Sequence, residues 1–199
     1  MQLNQKSKGK LTLVGIALLF FIPIVSSWYL VFYSDFKKNA IGTQHGKLIE
    51  PVINIGEIKA KEIKTKNEIL INKKWILAFV QKKICDDLCK ERYYQLRQIR
   101  LALGEDRNKV ERLVILNEPT NLDELGNLYP GQKYIDSNDK NYQSLTKKFK
   151  NYITDQNNPI FLIDPYGFLM MQYQQGTEPK GIIKDIEKEC SSKKRTICM

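Results

Sequence analysis

The amino-acid sequence predicts an α/β fold, in which a central mixed sheet is flanked by helices and preceded by one transmembrane helix. Three observations lead to this prediction. An uninterrupted apolar segment lies near the N-terminus, at residues 11–34. Several continuous apolar runs of strand length follow it, as is typical of strands buried on both faces. A segment with helical spacing of apolar residues comes directly after the first of these runs, at Cys85–Leu103.

The N-terminal apolar segment has the length and composition of a membrane span. Residues 11–34 contain no ionisable side chain except two tyrosines. At ~1.5 Å per residue a helix of this length spans about 36 Å, more than the ~30 Å of a hydrocarbon core. Lys6, Lys8 and Lys10 precede it without any acid. This bias predicts an N-terminus on the cytoplasmic side and a soluble domain across the membrane, in an oxidising compartment.

A cleaved signal peptide is the alternative interpretation of this segment. Val25-Ser26-Ser27 could serve as a cleavage site, but the apolar run Trp28–Tyr33 would then remain on the mature protein. We therefore favour an uncleaved, single-pass anchor in the cytoplasmic (inner) membrane with the domain in the periplasm. The predicted organisation is a cytoplasmic tail at 1–10, a transmembrane helix at 11–34, a linker at 35–50, a folded domain at 51–190 and a C-terminal tail at 191–199.

The net charge of +10 is spread along the chain. We interpret it as a solvated lysine- and glutamate-rich surface, although a basic surface could also meet an anionic membrane or an acidic partner. We find no basic and aromatic patch of the kind that binds nucleic acid, so we predict no nucleic-acid partner.

The order of predicted elements defines the topology of the domain. Strand-like patterns occupy residues 51–72, and residues 117–141 look irregular. The buried strands are predicted at Trp75–Val80, Val110–Leu116, Pro159–Ile163 and Phe168–Tyr173, and the helices at Cys85–Leu103, Tyr142–Tyr152 and Glu178–Glu189. A strand, helix, strand, helix, strand, strand, helix order with a Cys-x-x-x-Cys pair after the first central strand is the thioredoxin-like arrangement.

The candidate site is the pair Cys85 and Cys89, at the predicted junction of strand and helix. Residues four apart on a helix face the same way, so the two sulfurs can approach bridging distance. The helix N-terminus, Lys82 and Lys83 favour a thiolate, whereas the two aspartates after Cys85 oppose it. Such a pair could exchange disulfides, hold Cu(I) as a soft two-sulfur donor, or form a structural disulfide.

The segment around this pair resembles the Sco/SenC family of respiratory oxidase assembly proteins. The run Lys74-Trp75-Ile-Leu-Ala-Phe79 leads into Cys85-Asp86-Asp87-Leu88-Cys89, where the family has a Trp-led strand and Cys-Pro-Asp-Val-Cys-Pro. Both prolines of that motif are replaced here. The resemblance implies a thioredoxin-like fold, a membrane anchor of this orientation, copper as a ligand, and a respiratory oxidase subunit or another thiol or copper protein as partner.

The histidine that completes the copper site of that family has no counterpart here. Counting back from Asp164-Pro165 places Gln156 at its position, and Gln is a weak ligand for Cu(I). The chain's single histidine, His45, lies in the predicted linker and is a poor substitute. Met170 or Met171 could assist the two sulfurs, but on a hairpin strand methionines are usually packing residues.

Two further features are noted. Pro159 precedes a predicted strand, as does the cis-proline of thiol oxidoreductases with the thioredoxin fold. Cys190 and Cys198 could close a small C-terminal loop or remain thiols, and we assign them no function. We therefore expect an accessory factor for cytochrome oxidase biogenesis. A general periplasmic thiol-disulfide oxidoreductase and a scaffold with a structural disulfide are the alternatives.

Overall fold

The computed structural model of the protein describes residues 5–33, 44–82, 85–117, 122–154 and 158–192. It divides into two compact units, one with the N-terminal helix and one that begins at Gln44. Gln156, Cys198 and most of the predicted linker lie outside the described residues.

The N-terminal unit is a single helix, α1, at Gln5–Tyr33. Its segment Thr12–Tyr29 has a mean hydropathy of 1.9 and is long and apolar enough to cross a membrane. The helix continues through Pro23, and the Ser26 hydroxyl donates a hydrogen bond of 3.1 Å to the Pro23 carbonyl.

The second unit contains the remaining elements. Its strands are β1 Lys47–Asn54, β2 Ile58–Glu62, β3 Glu68–Ile71, β4 Trp75–Gln81, β5 Val110–Leu116, β6 Lys133–Ile135, β7 Ile160–Ile163 and β8 Phe168–Tyr173. Its helices are α2 Asp87–Ala102, α3 Leu122–Leu128, α4 Tyr142–Phe149 and α5 Pro179–Ser192, with 3₁₀ turns at Gly104–Lys109 and Lys150–Tyr152. Strand β1 begins at Lys47, inside the segment that was predicted as a linker. The limits of the linker and of the domain remain predictions.

The eight strands form one mixed sheet in the order β1-β8-β7-β4-β5-β6-β2-β3. The central strands β4, β5 and β6 are parallel, with Trp75 beside Val110 and Leu113 beside Lys133. The outer pairings are antiparallel. The predicted α/β, thioredoxin-like class with a central mixed sheet is confirmed.

Strand β4 is buried over its whole length, as its continuous apolar run predicts. Its side chains alternate between two cores because successive residues of a strand point to opposite faces. Trp75, Leu77 and Phe79 pack into the core that includes α2 and α5. Ile76 and Ala78 pack into the opposite core, which includes α4. The strand therefore holds its carboxyl end, from which the cysteine segment departs, rigidly between two packed layers.

The buried face of α2 differs from the predicted one. Tyr93, Leu96 and Ile99 are fully buried, and their spacing of three residues follows one side of the helix. Leu88 and Leu101 belong to the apolar pattern that predicts a helix at Cys85–Leu103, but they are 56% and 48% exposed. Their positions in the helical repeat turn them away from the sheet.

Residues 117–141 are more regular than predicted. The described part of this segment contains α3 and the three-residue strand β6, which extends the parallel sheet beyond β5. The strand is too short to show a periodic pattern, and it is stabilised by its neighbours: Lys133 and Tyr134 pair with β5 on one side and β2 on the other.

Candidate functional site

The cysteine pair lies where the rigid central strand gives way to α2. Cys85 and Cys89 form a disulfide, with their Cα atoms 5.2 Å apart. Both side chains are half-buried and pack against the core beneath α2. The predicted approach of the two sulfurs is therefore confirmed, and the structure describes the pair in its oxidised form.

Asp86 caps the helix that carries the second cysteine. Its backbone is extended, and its side-chain Oδ1 accepts a hydrogen bond of 2.9 Å from the Cys89 amide. Aspartate is among the preferred N-cap residues because it satisfies an amide that has no partner inside the helix. The cap holds Cys89 in place, but its carboxylate also occupies a donor and adds negative charge beside the sulfurs. The two aspartates that we expect to oppose thiolate formation therefore lie at the N-terminus of α2, and this effect on the thiolate stays a prediction.

A buried hydrogen bond connects α2 to the end of β4, the strand that precedes Cys85. The Tyr93 hydroxyl donates a 3.0 Å hydrogen bond to Oε1 of Gln81, the last residue of β4. Both residues are buried, and burial raises the pKa of Tyr93, so its hydroxyl stays protonated as a donor. The Tyr129 ring stacks on Tyr93 at 5.3 Å, and its hydroxyl donates to the carbonyl of Lys90. No pattern in the sequence predicts this contact, because only the packing of α2 on the sheet brings these residues together.

The loop before β7 is attached to the same end of the sheet. The Asn158 amide donates a 2.8 Å hydrogen bond to the Val80 carbonyl, and the Lys82 ammonium donates to the Thr154 carbonyl. These contacts flank the position of Gln156, which lies outside the described residues, as does Lys83.

His45 is bound within the domain and does not behave as a linker residue. Its Nδ1 lies 3.1 Å from Oδ1 of Asp185, whose side chain is 1% exposed. The backbone amides of His45 and Gly46 donate to Oδ2 of the same carboxylate. His45 precedes β1, three strands from β4 in the sheet, roughly 14 Å at ~4.8 Å per strand. It therefore cannot join Cys85 and Cys89 around one metal ion.

The other candidate residues are not assembled around the pair. Met171 is buried, and its sulfur lies 3.6 Å from the Tyr173 hydroxyl, while Met170 is partly buried against the same core. Both have the packing role that a hairpin strand favours. Among the described residues the cis peptide bond precedes Pro51, so the cis bond considered at Pro159 is not found. Cys190 is a buried thiol of α5.

The fit of a copper ion depends on the state of the disulfide. Among the described residues no group of three or more His, Cys, Asp or Glu side chains could hold a metal ion. The residues present offer at most the two sulfurs of Cys85 and Cys89, and only when the pair is reduced. A two-sulfur set suits Cu(I), whereas the three-ligand site of the Sco/SenC family does not fit these residues.

A thioredoxin-like domain with a disulfide at the head of its first domain helix defines the class of the protein. A family model described as "Transmembrane-like, thioredoxin-like, C-terminal domain" matches residues 75–189, more than half of the chain. The chain belongs to this family. No curated protein matches it.

Solved structures of Sco proteins share its fold. Copper-bound ScoI of Arabidopsis thaliana has a TM-score of 0.55 at 13% identity, and the match covers 69% of this chain and 98% of that one. Yeast Sco1 has the same TM-score at 16% identity, with 69% and 94% covered. A DsbF homologue from Corynebacterium diphtheriae has a TM-score of 0.52 at 12% identity, with 74% and 95% covered. The Sco-like architecture inferred from the sequence is therefore confirmed as a fold.

Proposed function

We propose that the protein is a membrane-tethered thiol-disulfide exchange factor that assists the biogenesis of a respiratory cytochrome oxidase. The observation that carries this proposal is the disulfide between Cys85 and Cys89, half-buried at the head of α2. A bridge between residues so close in sequence adds little to the tertiary connections of the domain, since both cysteines already pack against the core beneath α2. Its position suits exchange with a partner.

The exchange moves two electrons between the pair and a partner dithiol. A partner thiolate attacks one sulfur of the disulfide, forms a mixed disulfide and releases the other cysteine as a thiolate, which takes up a proton. The second partner thiol, after losing its proton, attacks the mixed disulfide and releases the first cysteine. The partner is then oxidised to a disulfide, and Cys85 and Cys89 are reduced to thiols. In the reverse direction Cys85 is the attacking thiolate and Cys89 resolves the mixed disulfide.

An exposed apolar side chain beside the pair favours contact with another protein. Leu88 precedes Cys89, and it is 56% exposed. A partner segment that brings its cysteines to the disulfide would cover this side chain. Apolar burial next to the reacting sulfurs would then contribute to binding.

The proposed location follows from the N-terminal helix. We infer an uncleaved anchor at residues 11–34 in the inner membrane, with the domain at 51–190 in the periplasm, where disulfides persist. The tether would confine the cysteine pair near membrane-embedded clients. An oxidase subunit with copper-binding thiols is the client that the Sco-like fold and motif favour.

Delivery of Cu(I) by the reduced pair is the second candidate function. It is favoured by the soft donor set and by structural neighbours that were crystallised with copper, ScoI of Arabidopsis thaliana among them. Copper would be a cargo held by two sulfurs, and Gln156 does not supply the histidine of the copper-binding family.

Anaerobic measurements on the full chain in detergent test both candidates. The redox potential of the pair is measured by equilibration with glutathione, and Cu(I) is titrated into the reduced protein in competition with a chelator. Exchange alone predicts a potential in the range of roughly −120 to −270 mV found for exchange proteins, without tight copper binding. A potential far below that range would indicate a structural disulfide and contradict the proposal.

Cell-based assays test the client. Cys85→Ser and Cys89→Ser should each reduce oxidase assembly and the copper content of the oxidase. Cys190→Ala is the matched control, because it removes a thiol of α5 that lies outside the pair. Unchanged oxidase assembly in both pair variants would contradict the assignment to oxidase biogenesis, and the redox measurements would still decide whether the pair exchanges disulfides.

A further inference from the structure

A second cluster of functional groups lies away from the cysteines, between α2 and β5. Arg112 is in the middle of the parallel sheet and only 2% exposed. Its Nη2 donates a 2.6 Å hydrogen bond to the Pro130 carbonyl, in the turn before β6. Arg97 and Arg100, one helical turn apart on α2, are half-exposed and close enough to act electrostatically on Arg112. We call Arg97, Arg100 and Arg112 the arginine cluster.

The buried guanidinium of the cluster is not satisfied by the protein. Arg112 Nε and Nη1 are buried and have no hydrogen-bond partner. Arg100 uses its Nε on the Val110 carbonyl, which is neutral. Across the described residues, no carboxylate forms an ion pair with any of the three arginines. Among the described residues, Arg100 and Arg112 donate hydrogen bonds to carbonyl oxygens, and no ion pair offsets the three positive charges.

This arrangement is costly for a structural role alone. Burial is the main cause that lowers the pKa of Arg112 to about 10; the charges of Arg100 and Arg97 act in the same direction, and the charge of Glu111 opposes them. At neutral pH the group is still protonated, so a cation is held among like charges in a largely buried position. Buried charges are normally paired, because desolvation is otherwise uncompensated. An anion bound among the three guanidinium groups would supply the missing charge and accept the free N–H groups.

The cluster is reachable from the surface. Arg97 and Arg100 are half-exposed, and Gly131, on the turn that receives the Arg112 hydrogen bond, is exposed. A Cβ built on Gly131 would lie 3.5 Å from Arg112 Nη2, so the guanidinium approaches the solvent boundary at this turn. A small anion that approaches between α2 and this turn would meet Arg97 and Arg100 at the surface, and Arg112 is the buried member of the cluster.

We propose that the arginine cluster is a binding site for a phosphate group. A phosphate dianion carries several acceptor oxygens and matches converging guanidinium groups in both charge and geometry. The site is separate from the cysteine pair and does not depend on the proposed exchange function. Its ligand is free phosphate or the phosphate of an ester, such as a phosphorylated metabolite or a lipid headgroup.

Thermal unfolding of the full chain in detergent tests this site, with inorganic phosphate as the probe. Phosphate should raise the Tm progressively with its concentration, compared with sodium chloride at the same ionic strength, because a ligand that binds only the native state stabilises it. Arg97→Gln should weaken phosphate binding about tenfold or more, since it removes a charged hydrogen-bond donor. Arg107→Gln is the matched control: it removes an exposed arginine from the 3₁₀ turn outside the cluster and should leave the phosphate effect unchanged.

Arg112→Gln should abolish the rise of the Tm with phosphate. If this variant does not fold, the comparison of Arg97→Gln with Arg107→Gln shows whether phosphate binds at the arginine cluster. Glycerol phosphate distinguishes the source: binding as tight as that of inorganic phosphate indicates an ester ligand, and much weaker binding indicates free phosphate. An unchanged Tm in phosphate would overturn the proposal and would indicate that Arg112 is satisfied within the protein, for example by the neighbouring Gln132 carboxamide oxygen. An equal loss in Arg107→Gln would overturn it as well, since the effect would then be unspecific.

Discussion

The two ends of the parallel strands differ in the interactions that hold them to neighbouring elements. At the carboxyl end, the Cys85–Cys89 disulfide joins the segment after β4 to α2, and Tyr93 of α2 donates a neutral hydrogen bond to Gln81 of β4. Near the amino end, β5 carries Glu111, which is 6% exposed and contacts Lys74 at 2.6 Å and Lys133 at 2.9 Å. The amino end is therefore held by compensated charges, whereas the carboxyl end is held by a disulfide and a neutral hydrogen bond.

This difference between the two ends leads us to expect that the domain stays folded when the Cys85–Cys89 pair changes its redox state. The ion pairs of Glu111 lie at the opposite end of these strands from the disulfide, so we expect them to hold β4, β5 and β6 in register if the cysteines react. We therefore expect losses of stability to be larger at the ion-pair end, and losses of reactivity to be confined to the cysteine end.

The largest stability effect is expected from Glu111→Gln. It leaves Lys133, which is 11% exposed, beside a neutral side chain and should lower the free energy of unfolding by about 3 kcal/mol. Urea unfolding measures this loss. Glu105→Gln, at an exposed position of the 3₁₀ turn, is the control and should have almost no effect. An equal loss in the two variants would contradict the role of the ion pairs.

The same ion pairs predict a pH dependence. Burial alone would raise the pKa of Glu111, but the hydrogen bonds from Lys74 and Lys133 hold it below its ordinary value. A carboxyl with a depressed folded-state pKa contributes stability above its unfolded pKa of ~4.3 and loses it as the pH falls through the folded value. The difference in stability between wild type and Glu111→Gln should therefore be constant at neutral pH and shrink below about pH 4. A difference that persists at pH 2 would exclude this origin.

Reduction of the disulfide should have a smaller effect. The bridge closes a loop with a sequence separation of only 4, for which the chain-entropy estimate is about 2 kcal/mol. Unfolding in the presence and absence of reductant measures it, and the Cys85→Ser, Cys89→Ser double variant should be insensitive to reductant. Unfolding of the domain on reduction would show that the disulfide is structural and would remove the contrast between the two ends.

Tyr93→Phe tests the hydrogen bond beneath the disulfide. Loss of one buried, neutral hydrogen bond should cost about 1 kcal/mol. It should also change the redox potential of the pair, because Tyr93 connects α2 to the end of β4. Tyr94→Phe is a matched control, since Tyr94 is its neighbour but is 53% exposed. The same shift of potential in both variants would rule out a positioning role for Tyr93.

The smallest effect is expected from Asp86→Asn. Asparagine caps a helix as well as aspartate does, so stability should change by only a few tenths of a kcal/mol. Removal of the negative charge should favour the thiolate of the reduced pair and accelerate its alkylation at pH 7 about two- to fivefold. Asp87→Asn removes a charge that does not cap the helix and should accelerate alkylation less. A slower reaction of Asp86→Asn would contradict the inferred influence of the cap.

Much of the fold could be read from local patterns. The continuous apolar runs at β4 and β5 and the hairpin of β7 and β8 were recognisable because burial on both faces leaves few polar residues. The turn between β7 and β8 was recognisable from Pro165 and Gly167, and Gly167 has a φ of +84°, which favours glycine. Strand β6 was not recognisable, since three residues carry no period and its register depends on β5 and β2.

The candidate site was predicted in part. The cysteine spacing indicated that the sulfurs could meet, because positions four apart on a helix are neighbours. The Tyr93–Gln81 contact could not be predicted, since it joins residues of two elements whose relative position is set by packing. His45 was misplaced for the same reason: its partner Asp185 lies 140 residues away in the sequence.

The sequence by itself determined the apolar N-terminal helix, the central strands and the position of the cysteine pair, because these depend on local composition and on spacing within one element. The tertiary structure decided which charges are compensated. Glu111 and Arg112 are adjacent in the sequence and both buried, yet strand alternation sends them to opposite faces of the sheet. One meets two lysines and the other meets arginines, and only the arrangement of strands and helices in space distinguishes them.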